Sequence, residues 1–236
     1  MRIRNLLAVC AGAALLLPAA SQAQDREGMW SVSVRGGPLM YAEASALEPG
    51  INLGLEAVYS LTPLISVGPS VDFVYGKSNG EFFVAAMPFS PDSTRVFEVG
   101  QQLSVLHYGG VARFDVLRQS RLGAYLVGGG GGYSIYLESA SNDVARRVNG
   151  LMLQGGAGVS MGFSENAGVS LDVRDMIYTG FDREELNPIR ARHQNCGSQN
   201  PLCFPGAQND VPEAKETLHN LRFTLGFTYV PRGGGN

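Results

Sequence analysis

The residues of this chain best suited to acid–base chemistry are three histidines, His107, His193 and His219. None has a spacing that completes a catalytic set. Ser104 precedes His107 by three residues, an odd interval that puts the two on opposite faces of a strand. Thr217 precedes His219 by two, with Glu216 alongside, yet no nucleophile, base and orienter are assembled there. Without such a set the histidines read as hydrogen-bonded polar residues and the chain as a non-enzyme. Cys196 and Cys203 share a polar stretch with only His193 near them, too few donors for a metal. In an exported chain such a pair reads as a disulfide pinning a loop. The five consecutive glycines Gly128 to Gly132 do not form a phosphate loop. Such a loop opens a helix and carries a Lys or a GxGxxG context, whereas strand-like Tyr133-Ser134-Ile135-Tyr136 follows here. No cofactor is implied, and a net charge of −3 gives no electrostatic case for nucleic acid.

The remaining charged residues are informative through their periodicity. From Met29 onward the chain alternates apolar and polar residues in eight segments, each about ten residues long, the length of a tilted membrane-crossing strand. The clearest is 221–229, where Leu221, Phe223, Leu225, Phe227 and Tyr229 oppose Arg222, Thr224, Gly226 and Thr228. A helix would not sort these residues so. The segments 29–41, 51–61, 64–75, 150–163 and 167–177 alternate in the same way. In 102–116 the outward face is Leu106, Tyr108, Ala112, Phe114 and Val116. In 122–137 the glycine run leaves the facing ambiguous, since it permits a bulge that switches faces. Parity collects Arg35, Glu56, Asp72, His107, Arg113, Asp172, Arg174 and Arg222 on the polar faces. Both signs are present, so an interior ion-pair network is expected; a gated polar path through the same residues is the alternative.

Connections alternate in length. Short turns fall at 60–64, 117–122 and 164–167, and long polar connections at 42–50, 77–101, 138–150 and 180–217. If the mature amino terminus starts in the periplasm, every short turn is periplasmic and every long loop external, the asymmetry of outer-membrane barrels. Reading 42–49 or 78–100 as extra strand would enlarge the barrel. The polar faces hold mostly glycine, serine and threonine, and Lys77 and Lys215 are the only lysines. These faces are too small and lysine-poor for a solvated exterior but suit a narrow barrel interior. The apolar faces carry aromatics near strand ends, namely Trp30, Tyr59, Tyr75, Phe163, Phe227 and Tyr229, as in an interfacial girdle. A soluble lipocalin-like carrier would invert this arrangement.

The amino terminus fits export. Arg2 and Arg4 precede an uncharged apolar run from Leu6 to Leu17, and Ser21-Gln22-Ala23 offers a cleavage site, so 1–23 reads as a signal peptide and 24–236 as one barrel domain. The run is too short for a transmembrane helix. Leu7-Ala8-Val9-Cys10 departs from a lipid-attachment signal through bulky Val9 and an early Cys10.

With these features the chain resembles the small OmpA/OmpX-type outer-membrane barrels: signal peptide, eight strands, loop asymmetry and the aromatic-rich strand 221–229. The resemblance covers nearly the whole mature chain and lies in pattern rather than in a diagnostic motif. It implies an all-β, eight-stranded antiparallel up-and-down transmembrane β-barrel in the outer membrane of a Gram-negative bacterium. It also implies contact with outer-membrane lipid and lipopolysaccharide, delivery by the barrel-assembly machinery, and a monomer. Such barrels often end on an aromatic residue, whereas this chain adds Val230-Pro231-Arg232-Gly233-Gly234-Gly235-Asn236 after Tyr229. The expected role is structural or surface-interacting. The alternatives are a small passive channel for polar solutes and an envelope lipid-modifying enzyme. The arginines of the longest connection, Arg183, Arg190 and Arg192, could pair with lipopolysaccharide phosphates; a solvated surface loop is the other reading.

Overall fold

The computed structural model describes residues 27–45, 47–78, 84–90, 93–98, 102–118, 121–137, 146–164, 166–182 and 215–231. The signal segment 1–23, the cysteines Cys196 and Cys203, and Arg183, Arg190, Arg192 and His193 lie outside the described residues. Eight long strands follow one another in the chain: β1 (Trp30–Met40), β2 (Gly50–Ser60), β3 (Ile65–Lys77), then β6 (Gln102–Arg118), β7 (Leu122–Leu137), β8 (Arg146–Gly162), β9 (Ala167–Asp182) and β10 (Lys215–Tyr229). Each pairs antiparallel with its chain neighbours among these eight, and β1 pairs with β10 to close the barrel. Between β3 and β6, β4 (Val84–Ser90) and β5 (Ser93–Glu98) form a separate two-stranded sheet. The strand content of 78–100 therefore does not enlarge the barrel. Of the 42–49 connection, Glu43–Ser45 is one turn of 3-10 helix, and Leu47 makes an isolated bridge to Ser78.

The register fixes the shape. Paired residues lead round the barrel from Trp30 through Tyr59, Val67, Ala112, Gly128, Gly155, Asp175 and Leu221 to Met40, ten positions further along β1. Ten residue rises of ~3.3 Å against eight strand spacings of ~4.8 Å tilt the strands by about 40° and set a backbone radius of about 8 Å. Only one layer of side chains fits inside such a tube. At that tilt the outward row from Trp30 to Met40 spans about 25 Å along the axis, the height of a membrane barrel's apolar band.

Facing follows parity. Ile51, Leu53, Leu55, Leu151, Val159, Leu171 and Leu225 are among the exposed residues of the outer surface, Ile51 at 74%. Asn52, Glu56, Asp72, Arg174 and Arg222 are buried inside. The glycine run does not switch faces, because β7 pairs with β8 without a shift from Leu122↔Met161 to Leu137↔Arg146. Instead the run allows tight curvature, since a Cβ on inward Gly131 would lie 2.0 Å from the Tyr108 carbonyl oxygen. The facing does change at the top of β9. Gly180 adopts φ +65, the register shifts opposite Glu216 and Leu218, and Phe181 turns inward, the behaviour of a β-bulge.

The strands extend further toward the long connections than the alternation predicts. Strand β8 begins at Arg146 instead of 150, β9 runs to Asp182, and β10 begins at Lys215. These extra residues are mostly polar, so pairing continues there after the apolar rhythm has ended. At the opposite end the residues flanking β1 and β10 meet the short turns: Gly28 N donates to Ser60 O at 2.9 Å. Val230 N donates to Asn166 O at 2.7 Å, while Asn166 Nδ2 donates to Val230 O at 2.8 Å. The residue after Tyr229 is thus bonded into the barrel end.

Candidate functional site

Six of the charged residues on the polar faces meet as one chain of alternating sign. Arg222 Nη1 lies 2.8 Å from Asp72 Oδ2, and Arg35 Nη2 lies 3.1 Å from the same oxygen. Arg35 Nη1 pairs with Glu56 Oε2, which Arg174 Nη1 also reaches at 3.0 Å. Arg174 Nε closes on Asp172 Oδ1 at 2.9 Å. The order Arg222–Asp72–Arg35–Glu56–Arg174–Asp172 matches three guanidiniums with three carboxylates and leaves no net charge. Neutral groups occupy several of the remaining lone pairs and protons, while Arg35 Nε, Arg222 Nε and, its ion pair apart, Arg222 Nη1 are buried without a hydrogen-bond partner. Ser70 Oγ accepts from Arg35 at 2.9 Å and Thr224 donates to Asp172 at 2.7 Å. Gln154 Oε1 accepts from both Arg174 and Arg222, at 3.2 and 3.3 Å. Buried charges are costly unless paired and hydrogen-bonded, and here each has an oppositely charged partner and at least one hydrogen bond.

Glycine makes room for these side chains. Arg35 is paired across strands with Gly54 and Gly226, Asp72 with Gly54, Arg174 with Gly156, and Asp172 with Gly158. A Cβ on Gly54 would sit 1.9 Å from Asp72 Oδ1. For Arg35 and Arg174 a glycine opposite leaves the room that a guanidinium needs in a tube of this radius. Arg222 faces Arg174 directly across the β9–β10 pair, a like-charge contact that is unfavourable alone. It is tolerated because Asp72, Glu56 and the shared Gln154 surround it.

Two of the expected lumen residues stand apart. Arg113 is half-buried near the short-turn end, pairs with Asp115 at 2.9 Å and lies 3.7 Å over the Tyr125 ring. His107 is buried and hydrogen-bonded to the Tyr178 hydroxyl, with no place in the chain of ion pairs. His107 points inward and Ser104 does not, and no serine hydroxyl approaches the ring among the described residues. His219 faces outward at 63% side-chain exposure, with Nδ1 2.7 Å from Asp175 Oδ2. This is a base with an orienting carboxylate, but no Ser or Thr hydroxyl is bonded to the ring among the described residues. Nor do the described residues include any group of three His, Cys, Asp or Glu able to hold a metal.

Toward the long connections the lumen is predominantly apolar, with buried Asn220 and His107 among the hydrophobic side chains, a layer that the polar faces do not announce. Leu39, Val74, Val105, Tyr133, Ile135, Met152, Met176, Tyr178, Phe181 and Leu218 form one buried cluster. The Tyr133 and Tyr178 rings stack at 4.2 Å between centroids. Leu47 and Tyr41, from the β1–β2 connection, pack onto the same cluster. The signal lay in continuing the inward parity: Val74 is two residues beyond Asp72, and Met176 and Tyr178 are two and four beyond Arg174. A smaller cluster of Val58, Val111, Tyr125 and Val127 fills the lumen toward the short turns. The described interior is therefore layered: apolar, ionic, then mixed.

Of the aromatics expected in a girdle, Trp30, Tyr75, Phe163, Phe227 and Tyr229 are exposed and Tyr59 is half-buried. Trp30 packs on Tyr59 at 5.4 Å and Phe163 on Phe227 at 5.9 Å, all four at the short-turn end. Tyr75 lies near the other end of β3.

No family model and no curated protein matches this chain. Among solved structures it is similar to a Neisserial surface protein A, with a TM-score of 0.51 at 11% identity, over 85% of this chain and 96% of that one. The outer membrane protein OprG from Pseudomonas aeruginosa aligns with a TM-score of 0.48 at 11% identity, over 88% of this chain and 98% of that one. The N-terminal barrel domain of Pseudomonas aeruginosa OprF aligns with a TM-score of 0.37 at 16% identity, over 87% of this chain and all of that one. At such identity the likeness to the Neisserial protein is one of fold.

Proposed function

We propose that this chain is a non-catalytic outer-membrane barrel of a Gram-negative cell, a rigid closed scaffold that presents its long connections at the cell surface. The observation that carries this reading is the combination of an apolar outer face about 25 Å tall with an interior already filled by a balanced ion-pair chain and an apolar cluster. A soluble carrier would need the opposite arrangement, charge outside and an apolar cavity within. Closure suits the bilayer because it leaves no unpaired strand edge in lipid. The leader 1–23, contact with outer-membrane lipid and lipopolysaccharide, and insertion by the barrel-assembly machinery belong to the same reading. The channel reading is disfavoured by the layering, since a polar solute entering from the long-loop side would meet the stacked Tyr133 and Tyr178 before the ion-pair chain.

The test is a heat-modifiability gel on the outer-membrane fraction, followed by planar-bilayer recording of the purified barrel. A band that migrates differently with and without boiling, together with no steady conductance above leak, is expected. A soluble periplasmic protein without a shift overturns the membrane reading. A steady conductance altered by neutralising Glu56 or Arg222 overturns the closed scaffold.

A further inference from the structure

We infer that the outer surface of β3, β6, β7 and β8, at its long-loop edge, is a binding site for the phosphorylated sugar headgroup of lipopolysaccharide; this rests on the membrane reading above. The outward rows of these four strands, taken from 65 to 77, 102 to 116, 122 to 136 and 147 to 161, contain no aspartate or glutamate. They contain two cations, and both stand at the upper ends: Lys77 on β3 and Arg147 on β8, each exposed. Between them the register aligns one continuous row, Tyr75↔Ser104↔Tyr136↔Arg147, across all four strands. Three strand spacings separate the ends of that row, about 14 Å. The site is wide enough to engage a headgroup and too wide for one phosphate to bridge.

Arg147 is held in place before any ligand arrives. Its guanidinium lies 5.2 Å from the centroid of the Tyr136 ring. Nε donates to Asn149 Oδ1 at 2.9 Å and Nη2 to Ser134 Oγ at 3.3 Å. Ser134 and Asn149 are themselves bonded at 2.7 Å. No carboxylate pairs with Arg147 or Lys77 among the described residues, so the charge is left for an anion from outside. An arginine fixed in this way loses little side-chain entropy on binding phosphate and presents a planar fork suited to it. Exposed Tyr75 and Tyr136 offer rings and hydroxyls of the kind that pack against sugars and bond their hydroxyls. On the other side of the barrel, the outward rows of β9 and β10 carry Asp175 paired with His219 lower down, and Lys215 stands at the long-loop start of β10.

The experiment titrates the detergent-folded mature barrel with lipopolysaccharide, with dephosphorylated lipopolysaccharide and with phosphatidylglycerol vesicles. It compares the wild type with Lys77→Gln/Arg147→Gln and with His219→Ala. The double variant should bind lipopolysaccharide at least tenfold more weakly, with the His219→Ala protein unchanged. Dephosphorylation should weaken wild-type binding as much, with no further loss in the double variant. A double variant within twofold of the wild type overturns the site, and equal binding to phosphatidylglycerol overturns its selectivity for a sugar phosphate. A wild-type barrel with no heat shift refutes the membrane reading and this inference with it. A normal heat shift with unchanged binding in the double variant refutes this inference alone.

Discussion

Removing one carboxylate from the middle of the ion-pair chain should cost far more than removing it together with its partner. Glu56 Oε2 serves both Arg35 and Arg174, so Glu56→Met leaves three buried guanidiniums facing two carboxylates. Breaking a buried pair from one side costs about 3–5 kcal/mol. At ~1.4 kcal/mol per tenfold, the unfolding equilibrium should shift by a factor of more than 100. Arg35→Met/Glu56→Met removes both members and leaves Arg222 with Asp72 and Arg174 with Asp172, two complete pairs. Replacing a whole buried pair with apolar residues of similar volume is often close to neutral, so the double variant should be more stable than either single one. The chain's one tryptophan, Trp30, is half-exposed on the outer face against Tyr59 and reports unfolding directly. Denaturant titration of the vesicle-folded barrel, followed by its emission, gives the three stabilities. Single variants within about 0.5 kcal/mol of the wild type, or a double variant that loses the sum of the two, would refute the coupling.

Two further outcomes test the interior. Within the glycine run, Gly131→Ala should destabilise the barrel by about 1–3 kcal/mol, as overpacking does, because its Cβ would meet the Tyr108 carbonyl. Gly128→Ala, whose Cβ would find its nearest neighbour at 4.0 Å, should be near neutral in the same titration, and a reversed order would contradict the assigned facing. Tyr178→Phe removes the hydroxyl bonded to His107 while keeping the ring stacked on Tyr133. Because it leaves the buried His107 ring without a partner, it should cost about 1–3 kcal/mol, the penalty for an unsatisfied buried group, by thermal melting in detergent; no loss would mean that contact contributes nothing.

How far the fold was legible depends on where the alternation is physically enforced. Along the apolar band every second residue faces outward, so a slip of one position would put charge in its place. The period is therefore strict in Leu221–Tyr229 and in the other segments that the glycine run does not interrupt. Beyond the band that constraint lapses, so the alternation stops short of the starts of β8 and β10 and the end of β9. The glycine run hides its parity because glycine has no side chain to sort, and only the register through Tyr133 and Ile135 reveals it. Arg35, Glu56, Asp72, Asp172, Arg174 and Arg222 were legible as interior residues from parity alone. Their linear order was not, since it depends on the ten-residue shear that brings β10 and β9 round to β1, β2 and β3. The apolar cap was missed because Val74, Met176 and Tyr178 belong to faces that seemed polar from their lower halves. The Asp175–His219 pair and the Arg147 edge depend on neighbours more than ten residues away in sequence, which no local pattern discloses.

The central claim, that the apolar face meets lipid, is tested most directly at Trp30. The barrel folded into vesicles carrying bromine on their acyl chains should show quenched, blue-shifted Trp30 emission that aqueous iodide scarcely affects. Emission quenched by iodide and untouched by brominated lipid would contradict the claim and leave the apolar face without a membrane to cover it.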